Sequence, residues 1–365
     1  MKLLLWPFTF IYGLIVFFRN KLFDYNLLHQ HDFDIPIISI GNITVGGTGK
    51  TPHIEYLIEL LKDQFNIAVL SRGYKRKTRG FVLADQNSTV NDIGDEPKQM
   101  KLKYPETDVA VDANRVRGVK KILSDDVETD IKVILLDDAF QHRYIKPGYS
   151  ILLVDYNRPI TKDHLLPYGR LREQAYEKRR ANIILVTKSP DDLKPIERRI
   201  LVKELNLFPY QTLFFTFFKY TALIHLFNKS KILISDFENN MYDVLLVTGI
   251  AKTKYLTEYL DKHCKVVEHI EYNDHHYFTN KEIETIIERF EKVDSKNKII
   301  VTTEKDAVRL MESNNEALKE KPVYYIQLEV QFQNEDKENF DKMIMDYVKR
   351  NKKKKIITQI TPTSA

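Results

Sequence analysis

Residues Ile35-Pro36-Ile37-Ile38-Ser39-Ile40-Gly41-Asn42-Ile43-Thr44-Val45-Gly46-Gly47-Thr48-Gly49-Lys50-Thr51-Pro52 pass from an apolar run into a glycine loop. The run is short enough for a buried strand. Beyond the loop, Ile54, Leu57, Ile58 and Leu61 recur at helical spacing, so the loop opens a helix. Strand, glycine loop and helix in that order are the setting of a phosphate-binding loop. Glycines let backbone N–H groups close on phosphate oxygens, and the helix N-terminus adds positive potential. Lys50 supplies a point charge and the Thr51 hydroxyl suits magnesium. The expected nucleotide-binding residues are therefore Thr44, Val45, Gly46, Gly47, Thr48, Gly49, Lys50 and Thr51. The usual formula has a glycine five residues before Gly49; Thr44 stands there, so the loop is a variant form.

Phosphate transfer also needs a carboxylate at the end of a neighbouring parallel strand, to hold the metal. Ile131-Lys132-Val133-Ile134-Leu135-Leu136 is such a strand and ends in Asp137-Asp138. One of these two aspartates is expected to bind magnesium or its water shell. ATP and Mg2+ are thus the expected cofactors.

Strand signals recur at Ile67 to Leu70, Val109 to Val111, Ile151 to Val154 and Ile183 to Val186, separated by helical or loop stretches. Such alternation implies a mainly parallel sheet covered on both faces. Extended aromatic sequence from Thr212 to Phe227 and again from Pro322 to Val330 reads as a strand pair bridging two domains. Between them lie strands at Val244 to Val247, Lys265 to Ile270 and Lys298 to Thr302. The expected fold is α/β: a P-loop NTPase-like domain over 31–210, then linker strands and a smaller α/β domain over 211–335. Residues 1–30 form an N-terminal membrane-docking helix, and 336–365 a helix end and basic tail expected to be disordered from Lys349 onward.

A chain of 365 residues fits two cores better than one. The net charge of +5 is concentrated in runs such as Lys75-Arg76-Lys77 and Lys352 to Lys355, which suits an anionic membrane or phosphorylated ligands rather than nucleic acid. Cys264 is the single cysteine, which excludes an intrachain disulfide and cysteine-built zinc sites. From Leu3 to Phe18 the chain is almost wholly apolar, but a helix of that length reaches only about 24 Å against a hydrocarbon core of about 30 Å. No small-residue cleavage site follows it. The expectation is a helix lying in the cytoplasmic leaflet, with Trp6, Phe8, Phe10, Phe17 and Phe18 inserted and Arg19 and Lys21 near headgroups.

An ordered set of motifs resembles the tetraacyldisaccharide 4′-kinases of lipid A biosynthesis. It comprises Gly41-Asn42 through Thr51-Pro52, Ser71-Arg72-Gly73-Tyr74, Gly94-Asp95-Glu96-Pro97, Asp112-Ala113-Asn114-Arg115 and Leu136-Asp137-Asp138-Ala139-Phe140-Gln141-His142-Arg143. Leu171-Arg172-Glu173, Asp274-His275-His276 and Thr303-Glu304-Lys305-Asp306 complete it. Lys75 departs from the pattern where glycine is expected, and Asn273 where proline often stands.

The resemblance implies transfer of the γ-phosphate of ATP to the 4′-hydroxyl of lipid A disaccharide 1-phosphate, at the inner membrane with the site facing the cytoplasm. No obligatory protein partner is implied. It makes Asp95 the base for the sugar hydroxyl, with His275 of the second domain pairing to it once the domains close, and Lys50 the third catalytic residue. Thr51, Glu96, Asp137 and Asp138 would arrange the metal. Because guanidinium binds phosphate in a fork, Arg72, Arg115, Arg143 and Arg172 are the candidates for the substrate phosphate. The alternative reading is a membrane-associated ATPase switch with a variant P-loop; its hallmark lysine before the two glycines is replaced here by Val45.

Overall fold

The computed structural model describes residues 5–124, 129–250 and 252–360. Residues 3–4 of the apolar segment, residues 125–128, Ala251 and the end of the tail lie outside them.

Among the described residues the first lobe holds β1 (Ile37–Gly41), β2 (Ile67–Ser71), β3 (Val82–Leu83), β4 (Asp108–Val111), β5 (Val133–Asp137), β6 (Tyr149–Asp155) and β7 (Ile183–Thr187). The second holds β9 (Lys231–Leu233), β10 (Asp243–Thr248), β11 (Lys265–Glu271) and β12 (Lys298–Thr303), while β8 (Thr212–His225) and β13 (Val323–Phe332) join the two. They form one continuous sheet in the order β11-β10-β12-β13-β8-β7-β6-β1-β5-β2-β4-β3, with β9 hanging on β8.

Strands β7, β6, β1, β5, β2 and β4 pair in parallel. Their side chains are apolar on both faces because helices cover both, and β1, β2, β5 and β7 are buried throughout. The C-terminal ends of these strands bring Gly41, Ser71, Asp137, Asp155 and Thr187 to one edge, where open parallel sheets take their ligands.

The bridging strands behave as the aromatic runs predict, with one addition. The first four residues of β8, Thr212 to Phe215, pair in parallel with β7. From Thr216 the strand turns to an antiparallel ladder with β13. The seam between the lobes is therefore a change of partner within one strand.

Two expectations at the chain ends need correction. The helix Asp336–Ile360 runs through the stretch expected to be disordered from Lys349. It belongs to the first lobe, for Phe340, Ile344 and Val348, one stripe at i, i+4 and i+8, are buried against the β1 face of the core. The Tyr347 hydroxyl also exchanges hydrogen bonds with the Ile37 backbone at 3.2 Å, and the Tyr56 hydroxyl donates to Asp341 at 2.6 Å.

At the other end the helix spans Trp6–Asp24, with Pro7 in the first turn, where its missing donor costs nothing. Its face bearing Trp6, Phe8, Phe10, Phe17 and Phe18 is exposed, whereas Val16, Asn20 and Phe23 are buried against the lobe. Arg19, expected at headgroups, instead donates to the Gln141 carbonyl. No described helix is long and apolar enough to cross a membrane.

Candidate active site

The helix Lys50–Leu61 starts at Gly49, whose φ of +87° is the left-handed region open to glycine. Phe218 packs so close that a Cβ there would lie 2.5 Å from its ring. The loop before it divides in two. Its first half is held by the 171 segment: Thr44 bridges Leu171, and the Val45 amide donates to the Arg170 carbonyl at 2.8 Å. Val45 was expected among the nucleotide-binding residues; its amide is already taken by that carbonyl. In the second half Asn42 Nδ2 donates to the Thr48 hydroxyl at 2.6 Å, leaving Gly46 and Gly47 exposed.

Asp137 is buried beside this loop. Its Oδ2 accepts from the Ser71 hydroxyl at 2.9 Å, while its Oδ1 is buried with no protein partner. Burial and then the charge of Asp138 push its pKa up. Asp138, held at a φ of +45°, lies 3.8 Å from Lys50 Nζ and 3.0 Å from the Arg172 guanidinium. Burial opposes its charge, yet those two cations keep it below the ordinary aspartate range. Glu96 shares the cleft; burial and the charge of Asp137 push it well up, against Lys50 and Lys305.

Three carboxylates crowded around one lysine, one of them with an orphaned oxygen, suit a divalent cation. No group of three His, Cys, Asp or Glu among the described residues is placed to hold a metal ion by itself, so a magnesium ion here would have to complete its shell with water and substrate phosphates.

On the other side of Glu96, Asp95 opens the helix Asp95–Lys103 and is buried. Its Oδ2 lies 2.6 Å from His275 Nδ1. Arg309, from the helix Glu304–Glu312 of the second lobe, closes a fork on the same carboxylate: Nε donates to Oδ1 at 2.8 Å and Nη2 to Oδ2. Burial would raise Asp95, but the hydrogen bonds of His275 and Arg309 hold it down to about 2. The Nε2 of His275 faces Lys305 Nζ at 3.2 Å, so the imidazole is assigned Nδ1–H toward Asp95 and a lone pair toward Lys305. Lys305 is steadied in turn by Asp274 at 2.9 Å.

The dyad expected to wait for domain closure is formed in this arrangement of the lobes. Further ties cross the same seam: Lys103 reaches both Glu55 at 2.6 Å and Glu304 at 3.1 Å, and the Val90 amide donates to Glu312 at 2.5 Å.

The four arginines separate. Arg72 is exposed and Arg172 is half-buried on the rim, where it also bonds the Asn42 carbonyl at 2.9 Å. Arg115 is buried and donates to the carbonyls of Asp112 and Asp137, at 3.1 and 3.2 Å. Arg143 binds the carbonyl of Asn20 and the carboxylate of Asp24, both at 2.9 Å, and so fastens the N-terminal helix. Both guanidinium groups face the protein's own acceptors rather than the cleft.

Arg309 escaped the sequence reading. The signal was there: it lies one helical turn beyond Lys305 and Asp306 of the Thr303-Glu304-Lys305-Asp306 motif. Asp306 itself accepts from the Thr303 hydroxyl at 2.7 Å and the Gly249 amide at 2.8 Å, pinning the loop after β10 to this helix. Lys75, which replaces the glycine expected after Gly73-Tyr74, adopts a φ of +61°, the backbone form glycine would supply.

The model of the tetraacyldisaccharide-1-P 4′-kinase family matches residues 1–349. The chain belongs to this family. It is 47% identical over 355 residues to a tetraacyldisaccharide 4′-kinase of Bacteroides thetaiotaomicron, covering 95% of this chain and 93% of that one. It is 43% identical over 351 residues to that of Flavobacterium johnsoniae, covering 96% and 98%. Among solved structures, the "apo" form LpxK of Aquifex aeolicus in complex with ATP superposes with a TM-score of 0.76 at 28% identity, covering 95% of this chain and 99% of that one. These matches exclude the ATPase-switch reading and make the chain a lipid A 4′-kinase with an ATP-dependent activity.

Proposed function

We propose that this 4′-kinase acts at the cytoplasmic face of the inner membrane, as a peripheral or monotopic protein, on an acylated disaccharide 1-phosphate, with Asp95 receiving the proton of the 4′-hydroxyl. The observation that carries the reading is the Asp95 carboxylate, ionised, bonded to His275, and next in the chain to Glu96, which faces Asp137 and Lys50.

A loose phosphoryl-transfer transition state asks for placement and charge neutralisation more than for a strong base. The hydroxyl becomes acidic only as its bond to phosphorus forms. An acceptor must then be ionised and aimed, and a carboxylate oriented by His275 and Arg309 meets both needs although its basicity is low. Lys50 and the amides from Gly46 to Thr51 would hold the β- and γ-phosphates. Thr51, Asp137, Asp138 and Glu96 are the residues suited to magnesium, which when bound offsets the charge of the phosphates. Arg172, bonded to Asp138, and the exposed Arg72 are the guanidinium groups left to meet the lipid's phosphate.

The aromatic face of the N-terminal helix supports the membrane reading. Trp6, Phe8 and Phe18 are each about 60% exposed, a cost to a helix surrounded by water and a gain at a lipid interface. The opposite face is tied to the active-site arm, since the Tyr12 hydroxyl donates to the Arg172 carbonyl at 2.9 Å.

The test is the purified full chain in detergent with ATP, magnesium and lipid A disaccharide 1-phosphate. The lipid product should gain one phosphate at the 4′ position. ATP turnover indifferent to lipid would reject the reading.

A further inference from the structure

Three successive carbonyls of the phosphate loop are each taken by a side chain from outside it. Lys188 Nζ donates to the Gly47 carbonyl, the Thr187 hydroxyl to that of Thr48 at 2.9 Å, and His53 Nδ1 to that of Gly49 at 2.7 Å. In a planar trans peptide the C=O of one residue and the N–H of the next point in opposite directions. Holding these carbonyls outward therefore turns the amides of Thr48, Gly49 and Lys50 inward, to the concave side of the loop. Converging amides of this kind make an anion nest.

We propose that Lys188, Thr187 and His53 form a brace on the carbonyl side of the loop, presetting its amides for the nucleotide's phosphates. They are positioning residues, two from the end of β7 and one from the helix that follows the loop. Each is built for the task. Thr187 is fully buried and His53 nearly so. Lys188 is held at a φ of +58°, and its ammonium is steadied by Asp155 at 3.2 Å, a carboxylate that Arg158 also grips at 3.1 Å. A left-handed backbone at a residue with a side chain persists only where surrounding contacts impose it.

His53 also connects the loop to the seam. Its Nε2 lies 3.0 Å from the hydroxyl of Thr216, the residue at which β8 leaves β7 for β13. With Nδ1 directed at the Gly49 carbonyl the ring donates there, which leaves Nε2 to meet the Thr216 hydroxyl. The orientation of the phosphate nest is thereby linked to the strand on which the two lobes meet.

The experiment is steady-state kinetics of the full chain in detergent, with MgATP and lipid varied separately, for Thr187→Val, Lys188→Met and the conservative pair Thr187→Ser and Lys188→Arg. Each loss of a brace bond should raise the KM for ATP about tenfold, leaving the KM for lipid unchanged. Thr187→Ser and Lys188→Arg, which keep a donor, should stay within about threefold of wild type. The Thr187 hydroxyl lies beneath the loop, so its effect cannot come from touching the nucleotide. Should Thr187→Val fail to accumulate as folded protein, Lys188→Met, whose side chain is partly exposed, gives the same reading. An unchanged KM for ATP in Lys188→Met, or a loss confined to the amount of active enzyme, overturns the proposal, as does a conservative pair no better than the deletions.

Discussion

The Nδ1 atom of His275 lies 2.6 Å from Oδ2 of Asp95 and joins a second-lobe loop to the first turn of a first-lobe helix. His275 sits at a φ of +67°, a conformation that a residue with a side chain adopts only where neighbours impose it. Asp95→Asn keeps the shape but cannot accept a proton, so kcat should fall by about 10²- to 10⁴-fold with the KM for ATP little changed. His275→Ala should cost less. His275→Asn should recover part of that loss, because asparagine tolerates the left-handed backbone and keeps a donor near the Nδ1 position. Equal kcat values for Asp95→Asn and wild type would remove Asp95 from the chemistry.

Arg309 makes a second prediction. Its guanidinium is 1% exposed and forks onto a carboxylate 6% exposed, so Arg309→Met leaves a buried charge with His275 alone. Unpairing one member of a buried pair costs about 3–5 kcal/mol, which denaturant titration should detect. The pH dependence follows from the depressed pKa. Asp95 contributes stability that is present above its unfolded value of 3.8 and lost as pH falls through its folded value of about 2. With Arg309 gone the folded value moves up toward 3.8, that contribution shrinks, and acid unfolding should begin at higher pH than in wild type. An unmoved acid transition would show that the fork does not hold Asp95 ionised.

The sheet was legible because its strands are buried on both faces and so written as unbroken apolar runs; β2 and β7 were placed within a residue of their ends. The two-residue β3 and the three-residue β9 were missed, since so few residues carry no period. Position along a motif indicated Lys50, Asp95 and Asp137, but not which way a side chain turns. Arg115 and Arg143 share the residue type and motif context of Arg172, and only packing separates the two that are buried from the one on the rim. Arg309 shows the converse: an ordinary helical arginine in the sequence becomes a partner of Asp95 through a contact across 214 residues.

Asp137 should trade stability for activity. Its pKa is raised by burial and by Asp138, and one of its oxygens is buried without a protein partner. Asp137→Asn removes one of three crowded charges, so without magnesium the variant should unfold at the same temperature as wild type or a few degrees higher. Turnover should fall at least about 100-fold, and the rise in melting temperature given to wild type by magnesium and ATP together should shrink. Thermal scans with and without MgATP check both halves. A variant less stable than wild type in the absence of metal would mean that the Ser71 hydroxyl and the nearby charges of Lys50 and Arg115 already stabilise the carboxylate.

Cys264 offers a control on the chemistry. It is buried, its Sγ lies 3.2 Å from the Leu260 carbonyl, and burial pushes the thiol up to about 12. The thiolate is the reactive form, so at pH 7 to 8 this group should resist alkylation in the folded protein. Incubation with N-ethylmaleimide should leave turnover intact, and mass spectrometry should find the adduct only after denaturation. Rapid labelling of the native chain with parallel loss of activity would refute the assignment.

The N-terminal helix separates two functions along its length. Its inner face is fixed by Asn20, Phe23 and Asp24, with Arg179 reaching Asp24 at 2.6 Å. Deleting residues 1–20 would therefore strip Arg143 and Glu173 of partners as well as removing the aromatic face, and a soluble but damaged enzyme would be ambiguous. Point changes on the exposed face avoid this. Phe10 and Phe18 are 58% and 60% exposed, so Phe10→Glu with Phe18→Glu should leave the fold intact while placing two charges where apolar rings would enter lipid. Each charge costs on the order of 1 kcal/mol or more at an interface, and each lost ring gives up its own burial, so binding to vesicles rich in anionic lipid should weaken by at least tenfold in flotation assays. The melting temperature should stay within a few degrees of wild type. If the double variant floats with vesicles as wild type does, this face is not what meets the membrane, and the exposed rings would need a different partner.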